Sequence, residues 1–315
     1  MSYLNPNAQT IAQSTSCSIS QTKRFSKPLI LQPSSDKLRT VPPNIRHPSY
    51  ALHRQMDPRR MRPQGIEIKT PSQVHKMRLA AQLASYIREF AGKQVKEGRT
   101  TNEIDLLVHQ EVIKQGAYPS PLLYSGFPKS VCTSVNQVVC HGVPDERRLE
   151  KGDILNIDVS VYTRDGVHGD CSAMFVVGET DPVAQNLIET TLSGLKNAIR
   201  ICGPGVDLNA IGNAIADTVE KTSFTIVESF CGHGIGEDFH IAPFIFHFRD
   251  AQPTRHLKMK EGMIFTIEPM VNEGTKHVHV LSDDWTVVTD DGLRSAQFEQ
   301  MVLITSYGVE VLTKH

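Results

Sequence analysis

The chain has 315 residues, a formal net charge of −1 and 39% hydrophobic residues, which suits one large globular domain or two ordinary ones. This balance argues against nucleic acid or an anionic membrane surface as a partner, and no apolar run reaches the ~20 residues of a membrane helix. The six cysteines form no C-x-x-C pair and are too few for a disulfide scaffold. We interpret them as reduced thiols in an intracellular compartment.

The N-terminal stretch, residues 1–62, is basic and polar. It carries ten Lys or Arg against two acids, Asp36 and Asp57, and is rich in Ser, Thr and Gln. Such a stretch cannot bury enough apolar surface to fold alone, and its composition is typical of a mitochondrial or plastid transit peptide. A tail without a targeting role is the alternative, since the first 22 residues hold no Lys or Arg. We predict a disordered extension over residues 1–65, made of a transit peptide and an entry segment, and a folded catalytic domain over residues 66–315.

Four helices are predicted from capping residues and apolar spacing. Thr70 before Pro71 opens the first, and Thr100 with Glu103 forms a capping box for the second. Asp181 and Asp207 are the expected caps of the third and fourth. The expected ends are near residues 91, 116, 203 and 219.

Strands are predicted between and after the helices, over residues 154–163, 166–177, 225–230, 262–271, 285–289 and 296–305. The first two flank a turn at residues 164–166. Because helices and hairpins are segregated, the pattern predicts the α+β class with an antiparallel sheet. The loose repetition of two helices followed by strands hints at two related halves.

Carboxylates interrupt these apolar strands. Residue 164 lies midway between Asp158 and Asp170, so symmetric pairing would place the two side chains opposite each other, with Cβ atoms ~4.5–5.5 Å apart. Like charges there repel, and an unpaired buried carboxylate is costly. Glu268 and Glu299 each lie within a further apolar strand. Singly, each fits an outward-facing residue of a half-exposed strand, but together they indicate a shared site.

A metal centre accounts for this set. With His233 the candidate ligands are five, and the four carboxylates carry a formal charge of −4, which two divalent ions would balance. Oxygen donors with one imidazole suit Co, Mn, Fe or Zn. Three glycines near His233, in the run GHGIGEDFH, are expected to let the backbone approach the metal and substrate closely.

At these residues the chain resembles type I methionine aminopeptidase, in its organellar form, of the pita-bread fold. The resemblance rests on YPSPLLYSGFPKSVCTSVNQVVCHGVPD, ILNIDVSVY, GVHGDCSAMF, GHGIGEDFH, GMIFTIEPMV, DDWTVVT and RSAQFEQMVLIT, and it covers residues 68–315. The stretch VPPNIRHPSY resembles a proline-containing segment of organellar members.

The resemblance implies two divalent ions per chain and a role for each ligand. Asp158 would chelate one ion, Asp170 and Glu299 would bridge both, and His233 and Glu268 would complete the other. Glu268 would also shuttle the proton of the attacking water, and the free α-amine of the substrate would bind a metal.

It also implies the substrate contacts. His240 would stabilise the oxyanion, and His141 would lie near the peptide nitrogen. The methionine pocket would be lined by Tyr124, Phe127, Cys132, Phe239 and Trp285.

The implied function is removal of the N-terminal methionine from nascent or imported polypeptides when the next residue is small. The substrate is then the main partner, the ribosome a second one, and a monomer the usual state. Mitochondrial localisation is expected, with plastid or cytoplasm as alternatives.

Three other readings compete. A prolidase or aminopeptidase P would share the fold but carry a folded domain before the catalytic one, for which residues 1–65 are too short and polar. A pseudo-enzyme with lost ligands would bind RNA or protein, yet all five ligands are present. An unrelated redox or structural metal protein finds little support in the cysteine spacing. Cys171 and Gln300 stand where Thr and His are common in the family, and we interpret Cys171 as a small buried side chain.

Overall fold

The computed structural model describes residues 31–32, 38–53, 66–251 and 256–314. The basic stretch predicted as a transit peptide lies outside these residues, apart from its pieces 31–32 and 38–53. None of the described helices is long and apolar enough to cross a bilayer.

The predicted capping signals start three helices where expected. Thr70 and Thr100 each form a capping box, with Gln73 and Glu103, and Asp181 accepts two backbone N–H groups at the start of the third helix. The α-helices of the described residues are α1 (Ser49–His53), α2 (Pro71–Gly92), α3 (Thr101–Lys114), α4 (Pro182–Arg200) and α5 (Asn209–Val219).

The predicted cap of α5 is wrong. The helix is preceded by Leu208, which makes no side-chain cap bond, because Asp207 forms an isolated β-bridge with Lys258. The Asp207 carboxylate also lies 3.5 Å from Lys258 Nζ. Asp207, which the local sequence pattern assigns to the cap, therefore pairs instead with a residue that is distant in sequence.

The strands of the described residues pair antiparallel throughout. They are β1 (Tyr118–Pro119), β2 (Cys132–Val135), β3 (Val138–Cys140), β4 (Ile154–Tyr162), β5 (His168–Val176), β6 (Thr225–Ile226), β7 (Cys231–Gly234), β8 (Ile241–Phe246), β9 (Ile264–Ile267), β10 (Met270–Asn272), β11 (Val278–Val280), β12 (Val287–Thr289), β13 (Ser295–Gln297), β14 (Gln300–Thr305) and β15 (Gly308–Val311). Two larger sheets result, one in which β4 pairs with β1, β2 and β5, and one ordered β15-β14-β9-β7-β8. Two three-stranded sheets, β13-β10-β6 and β11-β12-β3, complete the framework.

The two larger sheets meet at a backbone bridge between Ser172 of β5 and Glu299, which directly precedes β14. Their N–H groups donate to each other's carbonyls at 3.3 and 3.2 Å. Helices cover the outer faces: α2 packs on β4 and β5, while α4 and α5 pack on each other and on strands of the other sheets. The inner faces are therefore turned towards a common region between the sheets.

Residues 38–53 depart from the disordered extension predicted over residues 1–65. Ile45 and Tyr50 are buried in an apolar cluster that also contains Met77 of α2. Arg39 forms an ion pair with the buried Asp105 of α3. Although its composition is basic and polar, this segment packs on the catalytic domain because its few apolar side chains have a surface to bury against.

Gly169 of β5 permits close packing against α2, and its substitution tests the arrangement. A Cβ at Gly169 would lie 2.3 Å from the backbone oxygen of Ala80. We expect Gly169→Ala to destabilise the fold by roughly 1–3 kcal/mol through overpacking, seen as a lower urea midpoint. Gly308→Ala is the control, since nothing lies within 4 Å of the added atom. Equal midpoints for the two variants would contradict this packing.

Candidate metal centre and substrate pocket

One cavity collects all the predicted site residues. It is lined by Tyr124, Phe127, Cys132, His141, Asp158, Asp170, His233, Phe239, His240, Glu268, Trp285 and Glu299, together with Pro121 and Ser160, which the sequence reasoning missed. Carboxylates and His233 form one side of this cavity, and aromatic rings form the other.

The carboxylate side has the composition of a metal site. Ligand atoms of Asp170, His233 and Glu299 lie within 4.8 Å of one another. His233 Nε2 is 3.6 Å from Asp170 Oδ2 and 3.6 Å from Glu268 Oε1, too far for hydrogen bonds. Asp158 Oδ1 is buried and has no hydrogen-bond partner among the described residues. Oxygens that are buried, crowded and poorly paired fit a cation between them.

The register of the β4–β5 hairpin differs from the predicted one. Asp158 is opposite Ser172, and Asp170 is opposite Ser160, so the aspartates are diagonal neighbours. The turn is centred on Asp165 because Thr163 N–H donates to the Val167 carbonyl at 3.0 Å. The shift amounts to one diagonal step, so both carboxylates still point to the same face of the sheet.

Ser160 has a definite role in this register. Its hydroxyl donates to Asp170 Oδ1 at 2.8 Å and so fixes the orientation of that carboxylate. Two residues along the strand from Asp158, it shares that residue's face, and strand alternation alone could have identified it. Nothing in the sequence pattern singles out Pro121.

Glu268 and Glu299 lie at breaks between strands, whereas continuous strands were predicted. Glu268 and Pro269 separate β9 from β10, and Glu299 lies between β13 and β14. Pro269 has no N–H to continue a strand ladder, which explains the first break. Each glutamate is therefore held where the chain passes from one sheet to another.

A threonine on β9 links two of the candidate ligands. Thr266 Oγ1 donates to Glu268 Oε1 at 3.0 Å and accepts from the backbone N–H of His233 at 3.0 Å. The backbone N–H of Glu268 in turn donates to His247 Nε2 at 3.2 Å. Strands β7 and β9 are thus tied together directly at the site.

Burial and mutual repulsion perturb the acidity of the carboxyl groups. Burial raises the pKa of Asp158 to about 6. Burial, followed by the charge of neighbouring carboxylates, raises the pKa values of Asp170, Glu268 and Glu299 well above the usual range. The shift of Asp158 thus reflects burial, and the other three also reflect negative charge on neighbouring carboxylates.

The histidines of the site are neutral for the same physical reason. Burial lowers the pKa of His233 to about 3, and it lowers the pKa values of His141 and His240 well below the usual range. A neutral imidazole can ligate a metal or donate one hydrogen bond.

Aromatic residues form the other side of the cavity. Phe127 packs edge-on against Trp285, with ring centroids 5.0 Å apart. Tyr124 packs edge-on against Phe239 at 5.0 Å, and its hydroxyl lies 2.8 Å from His240 Nδ1. His141 has a left-handed backbone, with φ of 54°. A non-glycine residue in this region is strained, and such strain is often found where a side chain must be aimed at a site.

Gly232 and Gly234 permit close packing against neighbouring segments, and the expected approach of the backbone to metal and substrate stays a prediction. A Cβ at Gly232 would lie 2.4 Å from the Thr266 carbonyl oxygen, and one at Gly234 would lie 2.3 Å from that of Ala242. At Gly236 it would meet the Lys69 ammonium instead, at 2.2 Å. The nearest atoms thus belong to neighbouring protein segments.

Two cysteines have contrasting surroundings. Cys132 is opposite Asp158 in the β2–β4 ladder and lines the cavity. Cys171, by contrast, is packed among apolar side chains beneath α2, and burial raises its pKa to about 12. The interpretation of Cys171 as a small buried side chain is confirmed.

The sequence profile of Metallopeptidase family M24 matches residues 75–306. The chain belongs to this family. It is 48% identical over 288 residues to Methionine aminopeptidase 1D, mitochondrial, of Danio rerio, covering 91% of this chain and 82% of that protein. It is 50% identical over 250 residues to Methionine aminopeptidase 1D, chloroplastic/mitochondrial, of Arabidopsis thaliana, covering 79% of this chain and 70% of that one.

The structural comparison agrees with the sequence matches. The crystal structure of methionine aminopeptidase from Rickettsia prowazekii superposes with a TM-score of 0.77 at 41% identity, covering 79% of this chain and 100% of that one. The predicted resemblance, the pita-bread fold and the classification as a metallopeptidase are confirmed. Family membership implies a divalent metal, and the buried Asp, His and Glu cluster fits one.

Metal binding in this family M24 chain should release protons. The raised carboxyl pKa values mean that the metal-free site retains protons near neutral pH, and a cation must displace them. Metal affinity should therefore fall as the pH is lowered towards 6, the pKa of Asp158. Calorimetric titration in buffers of different ionisation enthalpy would count the protons. Glu261→Gln, at an exposed position, should release as many as the unchanged protein, and a pH-independent affinity would contradict the prediction.

Proposed function

We propose that this chain is an aminopeptidase that removes the N-terminal methionine from newly made or imported polypeptides when the next residue is small. The names of the relatives support the reaction. The strongest support from the structure is that the acidic cluster and the aromatic pocket open into one cavity. A substrate held by its first side chain would therefore present its first peptide bond to the acidic cluster.

Five residues would hold two divalent ions, of Co, Mn, Fe or Zn. In this proposal Asp158 would bind one ion, Asp170 and Glu299 would serve both, and His233 and Glu268 would bind the other. The ions would supply Lewis acidity that brings the pKa of water near neutrality. The donor set fits because its oxygens are buried and repel one another, and because one of them, on Asp158, lacks a hydrogen-bond partner among the described residues.

Glu268 is the proposed proton acceptor for the attacking water. It lines the cavity, and Thr266 Oγ1 donates to one carboxylate oxygen, Oε1. Gln297 Nε2 lies 3.4 Å from the other oxygen, a weak contact. Burial raises the pKa of Glu268 and makes the carboxylate a stronger base. It can then return the proton to the departing amine.

His240 is the proposed donor to the developing oxyanion. Its imidazole is neutral, and its Nδ1 faces the Tyr124 hydroxyl at 2.8 Å. If that hydroxyl donates to Nδ1, the ring proton resides on Nε2 and is available to the substrate carbonyl. Tyr124 would then set the tautomer of the catalytic histidine. His141, whose ring centroid lies 6.2 Å from that of Trp285, would contact the peptide nitrogen.

The methionine side chain would enter between aromatic rings. The pocket is formed by Tyr124, Phe127, Cys132, Phe239 and Trp285, all of them buried. Aromatic rings and a protonated thiol, whose pKa burial raises, favour a polarizable thioether over a charged side chain. The preference for a small second residue would follow from steric exclusion.

The proposed compartment is the mitochondrion, with plastid or cytoplasm as alternatives. The two relatives named above carry mitochondrial and chloroplastic/mitochondrial names. The basic composition of residues 1–62 also supports an organellar address. Nascent or imported polypeptides would be the partners, with the ribosome as a further one, and the chain would act as a monomer.

Peptide hydrolysis tests the proposed function. Protein loaded in turn with each metal should release methionine from a Met-Gly-x peptide and leave an x-Pro peptide intact. Asp170→Asn should abolish turnover and lower bound metal, because a bridging ligand loses its charge. Asp290→Asn, at an exposed position, should behave like the unchanged protein. Preferential cleavage of x-Pro would favour a prolidase, and near-normal activity of Asp170→Asn would refute the ligand assignment.

His240→Ala should separate rate from metal binding. Loss of an oxyanion donor lowers turnover by about 10²–10³. Bound metal should stay unchanged, because His240 is not among the five proposed ligands. Metal content by atomic emission and kcat on the same samples provide the measurement, with His279→Ala, an exposed histidine, as the control. A parallel loss of metal would show that His240 is itself a ligand.

A further inference from the structure

The N-terminal segment, residues 38–53, is fixed to the catalytic domain at several points before it reaches the pocket. Besides its ion pair with Asp105, Arg39 donates to Asn102 Oδ1 at 3.1 Å. The Thr40 carbonyl faces His109 Nε2 at 3.1 Å. Further along, Arg46 donates to the Arg164 carbonyl at 3.2 Å, in the turn of the β4–β5 hairpin. The segment therefore has a defined path across the domain.

Tyr50, on α1 of this segment, packs behind the aromatic wall of the cavity. It is 8% exposed, and its hydroxyl donates to the Ser120 carbonyl at 2.6 Å. Its ring lies edge-on to Tyr124, with centroids 5.0 Å apart and an interplanar angle of 80°. It also faces the His168 ring at 6.3 Å and 18°. One side chain of the segment thus contacts two rings of the domain.

Both of those rings support residues that line the cavity. Tyr124 contacts His240 through its hydroxyl and packs against Phe239. His168 stacks on Phe239 with centroids 4.8 Å apart and an angle of 5°. Its Nδ1 lies 2.9 Å from Ser120 Oγ, so Ser120 is a partner of both Tyr50 and His168. Tyr50 therefore contacts one lining residue, Tyr124, directly and supports another, Phe239, through His168.

The loop that carries Tyr124 needs support from outside. Its neighbours Leu123 and Ser125 both have left-handed backbones, with φ of 67° and 48°. Non-glycine residues hold such angles only where surrounding packing imposes them. The ring of Tyr50 is part of that packing.

We propose that Tyr50 is a positioning residue for the substrate pocket: by packing behind Tyr124 and His168 it holds Tyr124, Phe239 and His240 in place. This inference rests on the proposed function. It gives residues 38–53 a role in supporting the active site. This role differs from that of the targeting sequence, which is expected earlier in the chain.

The test uses substitutions in the full-length chain, assayed with an N-terminal Met tripeptide. Tyr50→Leu removes the ring and should lower kcat/KM about tenfold, mainly through KM, while bound metal is unchanged. The preference for N-terminal Met over Leu should also fall, because a loosened wall discriminates less. Tyr50→Phe keeps the ring and should restore most of kcat/KM. Tyr50→Met, whose flexible side chain can fill an irregular gap without a ring, replaces Tyr50→Leu if that variant does not fold.

Ile45→Ala is the matched control, because it removes a buried side chain of the same segment. It should lower the urea midpoint without changing the selectivity between Met and Leu. The proposal is overturned if Tyr50→Leu retains full kcat/KM and selectivity, or if Ile45→Ala reproduces its loss of selectivity. If the unchanged protein does not cleave Met peptides, the proposed function itself has failed, and this outcome is seen before any variant is compared.

Discussion

Four carboxylates packed beside one another, three of them buried and Asp158 half-buried, are the feature on which the rest of the site depends. Burial alone raises the pKa of Asp158 to about 6, and its charge then raises that of Asp170 further. A fold that crowds negative charge in this way is unstable unless protons or cations neutralise it. The buried cations Lys69, Arg88, Lys129 and Arg294 of the described residues do not line the cavity. We therefore expect the carboxylate cluster to be neutralised by a cation from outside the protein.

The architecture concentrates these carboxylates because several sheets meet at one place. Asp158 and Asp170 come from adjacent strands of one sheet, while Glu268 and Glu299 lie where the chain leaves one sheet for another. The backbone bridge between Ser172 and Glu299 joins the two larger sheets beside the cluster. A residue at a strand break is released from strict alternation and can face the gap between sheets. The same breaks that interrupt the ladders therefore supply ligands.

Sequence patterns correctly predicted the helix starts that depend only on interactions between neighbouring residues. Thr70, Thr100 and Asp181 cap their helices as the sequence indicates, because a cap involves only the next three residues. Asp207 fails as a cap because its partner, Lys258, is distant in sequence.

The hairpin register depended on the turn geometry between Thr163 and Val167, which residue numbering alone does not fix. The set of site residues was predictable because carboxylates in apolar runs are anomalous and because the chain resembles a known family. No sequence pattern indicated the contact between Tyr50 and Tyr124, because neither tyrosine is unusual in its stretch of sequence.

The two sides of the cavity differ in charge, and this difference constrains what can bind. On the carboxylate side burial raises the pKa values, so that this side holds protons which a cation can replace, whereas burial makes His141 and His240 neutral on the aromatic side. A ligand with an apolar end and a positively charged or metal-binding end would match both sides at once. An N-terminal methionine has this polarity, with a thioether at one end and an α-amine at the other. Because the aromatic side is lined mainly by rings, its selectivity depends on shape as well as on polarizability. Shape is maintained by the packing behind the rings, to which a residue as remote in sequence as Tyr50 contributes directly.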